Sequence, residues 1–447
     1  MKTLALTAVS RALPALLALA CWAASPVMAG GGSGGGVVSA SAGNGDIDMP
    51  GEILVKLRSS AALAPLLAKY PVTLIDRFGS RPIYRLKVIG SAKVKDVLLA
   101  FALEPDVMLS ETNRTHRSPE ARKNIPWAIG SESIYMAQWA PQAMRLAEAQ
   151  QRSLGAGVTV AVLDTGVDRN HPLLKDRLTQ GFDFVDFDND PSEVGSPAQA
   201  GFGHGTHVAG LVAMVAPLAH IMPLRVLDAD GVGNAWVLAE ALLYAVDPDG
   251  YPATDDGAQV INLSLGSLQR TRLIDTIAQI VGCAAAVPDD PIGDRSDPGY
   301  ADDEARCTGR VGAVVVAAAG NDGSNGVKEY PAAEGTYGLL SVAASTAGKR
   351  LAAFTNFGSW VDLAAPGEGI TSALPGGGYA TWSGTSMASP LTAGTAALLR
   401  AAQPGMPATD LVRRLKRASA MLCGTNLRQL DAAAALSDVT PPAIVCR

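Results

Sequence analysis

Three stretches of the sequence combine residue types that could perform nucleophilic catalysis. They are Asp164-Thr165-Gly166, Gly203-His204-Gly205-Thr206-His207 and Gly384-Thr385-Ser386-Met387-Ala388-Ser389-Pro390. A serine hydroxyl needs a base to become a nucleophile, and an imidazole base needs a carboxylate to orient it. Because glycines and other small residues surround the candidates, a peptide backbone could approach them closely. We therefore expect Asp164, His204 and Ser386 to act together.

The setting of Ser386 favours a catalytic role. Proline is tolerated in the first turn of a helix, so Pro390 predicts that a helix starts near Ser386. The free N–H groups and the dipole of a helix N-terminus stabilise a developing oxyanion. A serine that only caps the helix is the alternative for this segment alone, and the aspartate and histidine segments weaken that alternative.

Other chemistries fit the same residues less well. Asp-Thr-Gly also occurs in aspartic peptidases, but those need a second such loop or a symmetric dimer, and this sequence has one. His204 and His207 have a spacing seen in metal ligands, yet no HExxH glutamate or third ligand accompanies them, so we predict no metal site. An α/β-hydrolase needs its histidine after its serine, whereas the last histidine, His220, precedes Ser386. A catalytic triad in the chain order Asp–His–Ser is the arrangement that these exclusions leave.

From Gly157 onward, apolar strands alternate with helical stretches. This pattern indicates a doubly wound, mostly parallel α/β sheet with helices on both faces. Catalytic groups in such sheets lie at the carboxyl ends of the strands. Asp164, Ser264 and Asn321 fall at or just after predicted strand ends, so we expect them at one edge. The predicted strands are Val158–Leu163, Ile221–Leu227, Val260–Leu265, Val311–Ala319, Leu339–Ala344 and Trp360–Ala364, and the helical stretches lie near 205–216, 234–246, 271–281, 386–402 and 408–421.

A smaller unit precedes this region. Residues 51–113 have the order strand, helix, strand, strand, helix, strand, which is typical of a ferredoxin-like α+β module. Residues 30–50 begin with GGGSGGG and predict a flexible linker. The polar residues 114–134 predict a second linker that contains a processing site. The larger domain would then span residues 135–447.

Five sequence blocks within residues 138–436, about two-thirds of the chain, carry a family resemblance. The blocks are VAVLDTGVDRNHPLL, GHGTHVAGLVA, INLSLG, VVVAAAGNDGS and SGTSMASPLTAG. Their order and spacing resemble those of the subtilisin-like serine peptidases, the subtilases. The resemblance implies a subtilisin-like fold and a serine endopeptidase that cleaves peptide bonds through an acyl-enzyme.

The resemblance also implies a role for each matching residue. Asp164 would orient the base, His204 would be the general base and acid, and Ser386 would be the nucleophile. Asn321 and the backbone N–H of Ser386 would form the oxyanion hole. His207 would be a structural residue of the helix that His204 opens.

Substrate binding follows from the same comparison of motifs. Ser264-Leu265-Gly266 resembles the edge segment that pairs with an extended substrate backbone, and such pairing gives affinity without reading sequence. Asp322, beside Asn321, matches a position near the first specificity pocket. A carboxylate there could accept basic side chains, although a solvated loop acid is an equally good interpretation.

By this resemblance, the N-terminal module would be a propeptide that assists folding and then inhibits the enzyme. Residues 30–130 carry 13 basic and 9 acidic side chains, whereas residues 131–447 carry 21 and 33. These opposite charges are consistent with electrostatic docking. A permanent substrate-binding domain is the alternative. The acidic body also argues against nucleic acid as a partner.

The first 29 residues predict export. Lys2 and Arg11, an apolar run over 12–24 and a small-residue site at Ala29 form the pattern of a cleaved signal peptide. We expect an extracellular or periplasmic monomer that acts on proteins or peptides. The alternatives are an N-terminal membrane anchor and lipidation at Cys21, which would hold the protein at the cell envelope. Four other cysteines suggest disulfides with three possible pairings, namely Cys283, Cys307, Cys423 and Cys446.

No cofactor is predicted for catalysis, and structural calcium is a hypothesis. Two acidic regions suggest it: the insertion bracketed by Cys283 and Cys307, and the run Asp183, Asp186, Asp188 and Asp190. A disulfide-closed surface loop is the plainer interpretation of the insertion. Two further functions stay open, a processing peptidase of narrow specificity and a pseudoenzyme that only binds peptides.

Overall fold

The computed structural model describes residues 45–79, 81–251, 254–283, 307, 309–335 and 338–446. The predicted signal peptide and residues 30–44 of the predicted linker therefore lie outside the described residues, whereas the end of that linker, from Asp48, belongs to the first strand. Within them, an N-terminal antiparallel sheet precedes a large parallel sheet and a small three-stranded sheet.

The N-terminal module has the predicted order of elements. It consists of β1 (Asp48–Leu57), α1 (Leu63–Lys69), β2 (Val72–Arg77), β3 (Ile83–Val88), α2 (Val94–Phe101) and β4 (Val107–Arg117). Its strands pair antiparallel in the order β2-β3-β1-β4. Alternate residues such as Ile53, Val55 and Leu86 pack on one face against Phe101 of α2. This arrangement buries one face of the sheet under the two helices, as a ferredoxin-like module does.

The chain then continues through a connecting segment into the larger domain. The connecting segment contains α3 (Pro119–Lys123), β5 (Ala128–Ile129), α4 (Glu132–Ala137), α5 (Trp139–Ala143) and α6 (Leu146–Gln150). The larger domain contains β6 (Thr159–Asp164), β7 (Phe182–Asp183), α7 (His204–Val215), β8 (His220–Arg225), β9 (Val232–Asn234), α8 (Ala235–Val246), β10 (Val260–Leu263), α9 (Arg272–Val281), β11 (Val314–Ala318), β12 (Leu339–Ser345), β13 (Leu363–Pro366), β14 (Ile370–Leu374), β15 (Gly378–Trp382), α10 (Thr385–Ala402), α11 (Ala408–Arg417), β16 (Ser419–Met421), β17 (Arg428–Leu430) and α12 (Ala432–Ser437).

The large sheet is doubly wound, as predicted. Its strand order is β16-β17-β13-β12-β11-β10-β6-β8-β7, and β16–β17 is the antiparallel pair. Val160 and Val162 of β6 pack with α7 and α10 on one face, whereas Ala161 and Leu163 pack with α8 and α9 on the other. Because both faces are covered, the central strands are apolar throughout.

A close contact between α7 and α10 sets the geometry of the site. A Cβ atom at Gly394 of α10 would lie 2.6 Å from the Cβ atom of Val215 in α7, so glycine is needed where the helices meet. The N-terminal residues of these helices are His204 and Thr385. The contact therefore holds the histidine segment and the serine segment in fixed relation.

Two disulfides join cysteines that are nearest neighbours in sequence. They link Cys283 to Cys307 and Cys423 to Cys446. Of the three possible pairings, the structure thus has the one that closes two short loops. The first bridge closes the acidic insertion, whose carboxylates lie outside the described residues.

Candidate active site

Asp164 and His204 form a buried hydrogen-bonded pair. Asp164 is the last residue of β6 and His204 the first residue of α7, and His204 Nδ1 lies 2.7 Å from Asp164 Oδ1. The backbone N–H of Thr165 donates to the same carboxylate oxygen at 2.8 Å. A Cβ atom at Gly205 would lie 2.1 Å from the carbonyl oxygen of Gly166, so only glycine lets α7 start this close to β6. The carboxylate is therefore held where it can orient the imidazole.

Ser386 is buried in the first turn of α10, so the prediction that a helix starts there is confirmed. Pro390, however, lies past the first turn of this helix, and the structure shows how it is accommodated. Because proline has no N–H, it cannot donate to the carbonyl of Ser386. Ser264 Oγ donates to that carbonyl instead, at 2.9 Å. The side chain of Ser264 thus supports the backbone of Ser386.

Asn321 follows β11 and points its amide toward the same place. Its Oδ1 accepts hydrogen bonds from the backbone N–H and the hydroxyl of Thr385, both at 3.0 Å. These bonds turn Nδ2 toward Ser386, the next residue. Asn321 Nδ2 is therefore a fixed donor beside the serine, as an oxyanion hole requires.

A fifth side chain, which the sequence reasoning missed, occupies the point where these groups meet. The carboxylate of Glu120, from α3, accepts hydrogen bonds from His204 Nε2 at 3.0 Å and from Asn321 Nδ2 at 2.7 Å. It also accepts a hydrogen bond from Ser386 Oγ. The serine, the histidine and the amide donor thus converge on one anionic group.

Local sequence explains why α3 presents Glu120 there. Ser118 is the N-cap and accepts a hydrogen bond from the N–H of Ala121, and Pro119 occupies the first helical position. Asn124 ends the helix in the left-handed conformation. Ser-Pro-Glu is the signature of a helix start, and it was the signal in the sequence that could have revealed this element.

The two histidines of α7 differ in protonation. Although burial lowers the pKa of His204, the charges of Asp164 and Glu120 raise it to about 10. Burial raises the pKa of Glu120, but hydrogen bonds from His204 and its other partners outweigh this and lower it. Burial lowers the pKa of His207 to about 3, and its Nε2 lies 3.1 Å from the carbonyl oxygen of Ala380. His204 is therefore charged in this arrangement, whereas His207 is neutral and packed.

The edge segment Ser264-Leu265-Gly266, which was predicted to pair with substrate backbone, pairs here with a strand of the same chain, the end of β4. Gly266 and Arg117 exchange two backbone hydrogen bonds of 2.9 Å. On its other side, the end of β4 pairs antiparallel with β9. This pairing explains why β4 extends to Arg117, beyond residue 113, where the module was predicted to end. Leu265 is buried in the core cluster that covers α8 and α9.

Asp322 and the acidic run near β7 have cationic neighbours from the chain itself. Lys123 forms an ion pair with Asp322. Asp183 and Asp186 both form ion pairs with Arg225. Asp183 Oδ1 also accepts backbone N–H groups of the following turn. The first two carboxylates of the run are therefore paired with an arginine of β8, and structural calcium there stays a hypothesis.

Comparison with known proteins places the chain among peptidases. Residues 155–437 match the subtilase family. A thermophilic serine proteinase from Bacillus sp. (strain AK1) is 32% identical over 393 residues, which cover 84% of each chain. Thermitase from Thermoactinomyces vulgaris is 36% identical over 299 residues, or 65% of this chain and 90% of thermitase.

Solved structures show the same fold. Fervidolysin from Fervidobacterium pennivorans, a keratinolytic enzyme related to subtilisin, superposes with a TM-score of 0.67 at 20% identity. The match covers 87% of this chain and 61% of fervidolysin, so this chain spans less than two-thirds of that protein. A protease from Pseudoalteromonas arctica superposes with a TM-score of 0.56 at 28% identity.

Proposed function

Because the chain belongs to the subtilase family of serine endopeptidases, we propose that it is an exported enzyme made as a self-processing zymogen. In this proposal Ser386 attacks the peptide carbonyl, His204 takes the serine proton, and Asp164 orients the imidazole. Asn321 and the backbone N–H of Ser386 stabilise the oxyanion. His204 then returns the proton to the leaving amine, and water releases the acyl-enzyme by the same steps.

The observation that carries this assignment is the convergence on Glu120. A nucleophile, a base and an amide donor contact one carboxylate, which has the size and charge of a product carboxylate. Such a point is where a scissile carbonyl must lie, since the three groups have to reach it together. A protein that only binds peptides has no need for this convergence, so the arrangement favours the enzyme over the pseudoenzyme.

Extended substrates would bind as an added strand. Residues 115–117 already lie between β9 and Gly266 and pair with both through backbone hydrogen bonds. Main-chain pairing of this kind supplies affinity without reading side chains. This supports protein and peptide substrates in general, with selectivity left to the side-chain pockets.

The same contacts support a zymogen. While β4 and α3 are docked, the groove is occupied, Ser386 donates to Glu120, and His204 is charged and cannot act as a base. Activation then requires that Glu120 first leaves the catalytic groups, after which Ser386 can cut the connecting segment and the N-terminal module can be released. Before that cut, electrostatic attraction between the basic N-terminal module and the acidic larger domain would favour docking.

Two disulfides support export, because such bonds persist outside the reducing cytosol. The structure contains no helix long and apolar enough to cross a membrane among the residues it describes. The cleaved signal over residues 1–29 stays a prediction, as does the alternative of lipidation at Cys21. Mass spectrometry of the exported protein separates them, since a lipid adds mass at a new N-terminal cysteine.

The test of the function is casein hydrolysis by the purified parent and its Ser386→Ala variant. We expect the parent to cut casein at several sites and the variant to be inactive. Equal hydrolysis by both would refute the assignment.

A second candidate, a processing peptidase of narrow specificity, is favoured by a buried glutamate beside the site, Glu329. Cleavage of casein at only a few sites would support it.

A further inference from the structure

A buried carboxylate lies next to the candidate active site, and the catalytic steps do not use it. Glu329 is fully buried, and both of its oxygens accept hydrogen bonds from Arg122 Nη1, at 2.8 Å and 2.6 Å. Arg122 Nη2 donates to the carbonyl oxygen of Gly266 at 2.7 Å. Arg122 belongs to α3, the helix that carries Glu120, so one short helix fills both the reactive point and this pocket.

Glycines form the walls of the pocket and leave room for a long side chain. A Cβ atom at Gly266 would lie 2.5 Å from Glu329 Cγ, and one at Gly320 would lie 2.9 Å from Glu329 Oε2. Gly266 belongs to the edge that pairs with substrate backbone, and Gly320 immediately precedes the oxyanion donor Asn321. The pocket therefore opens between the strand-pairing edge and the oxyanion hole.

This position determines which substrate residue enters the pocket. The residue whose carbonyl occupies the oxyanion hole lies beside Ser386, and its side chain must leave the groove between Gly266 and Gly320. We infer that Glu329 selects arginine at the residue before the scissile bond, an inference that rests on the proposed peptidase function. Arg122 occupies the pocket now as the chain's own arginine.

Chemistry favours arginine over other side chains. The guanidinium offers a planar set of N–H donors, and here it satisfies both Glu329 oxygens and the Gly266 carbonyl at once. An ammonium group lacks that fork, so lysine should bind less well. A neutral side chain would leave the buried carboxylate without a partner, which is strongly unfavourable. Burial raises the pKa of Glu329 because desolvation disfavours its charged form, and the charge of Arg122 opposes this shift.

An ion pair that only anchors the connecting segment is the competing explanation. Asp46 lies 3.5 Å from Arg122 Nη2 and is also buried, so the N-terminal residues do contribute to holding this arginine. The two explanations differ after activation. An anchoring pair gives no preference among substrates once the segment has left, whereas a specificity pocket does.

The test is a panel of tetrapeptide p-nitroanilides that differ only in the residue before the anilide. The purified full-length chain, after its own processing, is assayed with arginine, lysine and phenylalanine at that position. We expect kcat/KM for arginine to exceed that for phenylalanine by roughly 100-fold and that for lysine by about tenfold. Equal or faster hydrolysis of the phenylalanine substrate by an enzyme that digests casein would overturn the inference and leave the proposed function intact. No casein hydrolysis by the parent would overturn both.

Glu329→Gln should lower the ratio of arginine to phenylalanine hydrolysis at least tenfold, because the amide keeps the shape and removes the charge. Glu334→Gln is the matched control, since Glu334 is also a buried carboxylate paired with an arginine, Arg270, but lies away from the groove. The ratio of arginine to phenylalanine hydrolysis should be the same in the Glu334→Gln variant as in the parent. Should Glu329→Gln fail to fold, mapping the sites that the parent cuts in denatured casein decides the question. Cuts that follow arginine support the inference, and cuts that follow large apolar residues contradict it.

Discussion

Glu120 Oε2 lies 3.0 Å from His204 Nε2, the nitrogen that must be free of a proton before His204 can serve as a base. In the docked state the pKa of His204 is raised to about 10, so the imidazole is charged at neutral pH. The same carboxylate accepts hydrogen bonds from Ser386 and Asn321. One side chain of the connecting segment thus engages the proposed nucleophile, the proposed base and the proposed oxyanion donor together.

Glu120→Gln should accelerate maturation. Glutamine has the same shape but cannot form an ion pair with charged His204, so docking of α3 weakens and the imidazole loses its proton more readily. We expect the precursor of this variant to disappear about ten times faster than the parental precursor. Gel electrophoresis of samples taken over time at neutral pH measures both rates.

The control for this variant is Glu104→Gln. Glu104 forms an ion pair with Lys69 within the N-terminal module, far from the groove. Its maturation should proceed at the parental rate. Unchanged or slower processing of the Glu120 variant would mean that Glu120 does not restrain the enzyme.

Asn321→Ala should lower kcat with little effect on KM. The amide stabilises the oxyanion, which exists only after attack on the carbonyl. In subtilisin, loss of this donor costs about 10²–10³ in kcat, and we expect a similar loss here. Steady-state kinetics on the matured variant give both constants. A main effect on KM would assign Asn321 to substrate binding instead.

His204→Ala and Ser386→Ala should each abolish hydrolysis, and combining them should add little. Triad members act as a unit, as they do in subtilisin. Casein hydrolysis by the two single variants and the double variant measures this. Multiplicative losses would show that the two side chains act independently.

Acid should loosen the N-terminal module through His116. This residue of β4 pairs with Gly233 of β9 and is buried, and burial lowers its pKa to about 4 from an ordinary value of 6.5. Asp46 opposes this shift and Arg122 adds to it. The undocked module binds more protons between these two values, so docking is strongest above pH 6.5 and weakens as pH falls toward 4. Between pH 7.5 and 5.5, the titration of His116 by itself should make undocking roughly tenfold more favourable, whereas proton uptake by His204 on docking acts in the opposite direction.

Limited proteolysis of the Ser386→Ala precursor measures this change, because cleavage after the basic residues of segment 114–124 by added trypsin reports the undocked fraction. His116→Leu should remove the His116 contribution, so the same pH change should favour undocking about tenfold less in this variant than in the parent. His220→Leu is the control, because His220 is an exposed histidine of β8. An identical pH effect in all three proteins would exclude His116 as its source.

Local sequence patterns predicted much of the fold and of the candidate site. The apolar strands predicted the parallel sheet, and strand ends predicted the common edge of Asp164, Ser264 and Asn321. Motif spacing found the side chains that meet there, because those motifs are local in sequence. Pro390 indicated where α10 starts, although this proline is accommodated by a hydrogen bond from Ser264 to the carbonyl of Ser386 that periodicity cannot reveal.

What the sequence did not reveal depends on contacts between distant segments. Glu120 meets His204 across 84 residues, and Arg122 meets Glu329 across 207. In the sequence, residues 114–134 have the polar character of an ordinary linker. The contacts of residues 115–122 with the larger domain become visible only in the structure, where β4 pairs with β9 and Gly266.

Intact mass and N-terminal sequencing of the purified parent and its Ser386→Ala variant test the account most directly. We predict that the parent loses its N-terminal module while the variant keeps it. Because Glu329 is inferred to select arginine, the new N-terminus should directly follow one of the arginines between residues 114 and 122. Retention of the module by both proteins, or its loss from both, would contradict a self-processing serine peptidase.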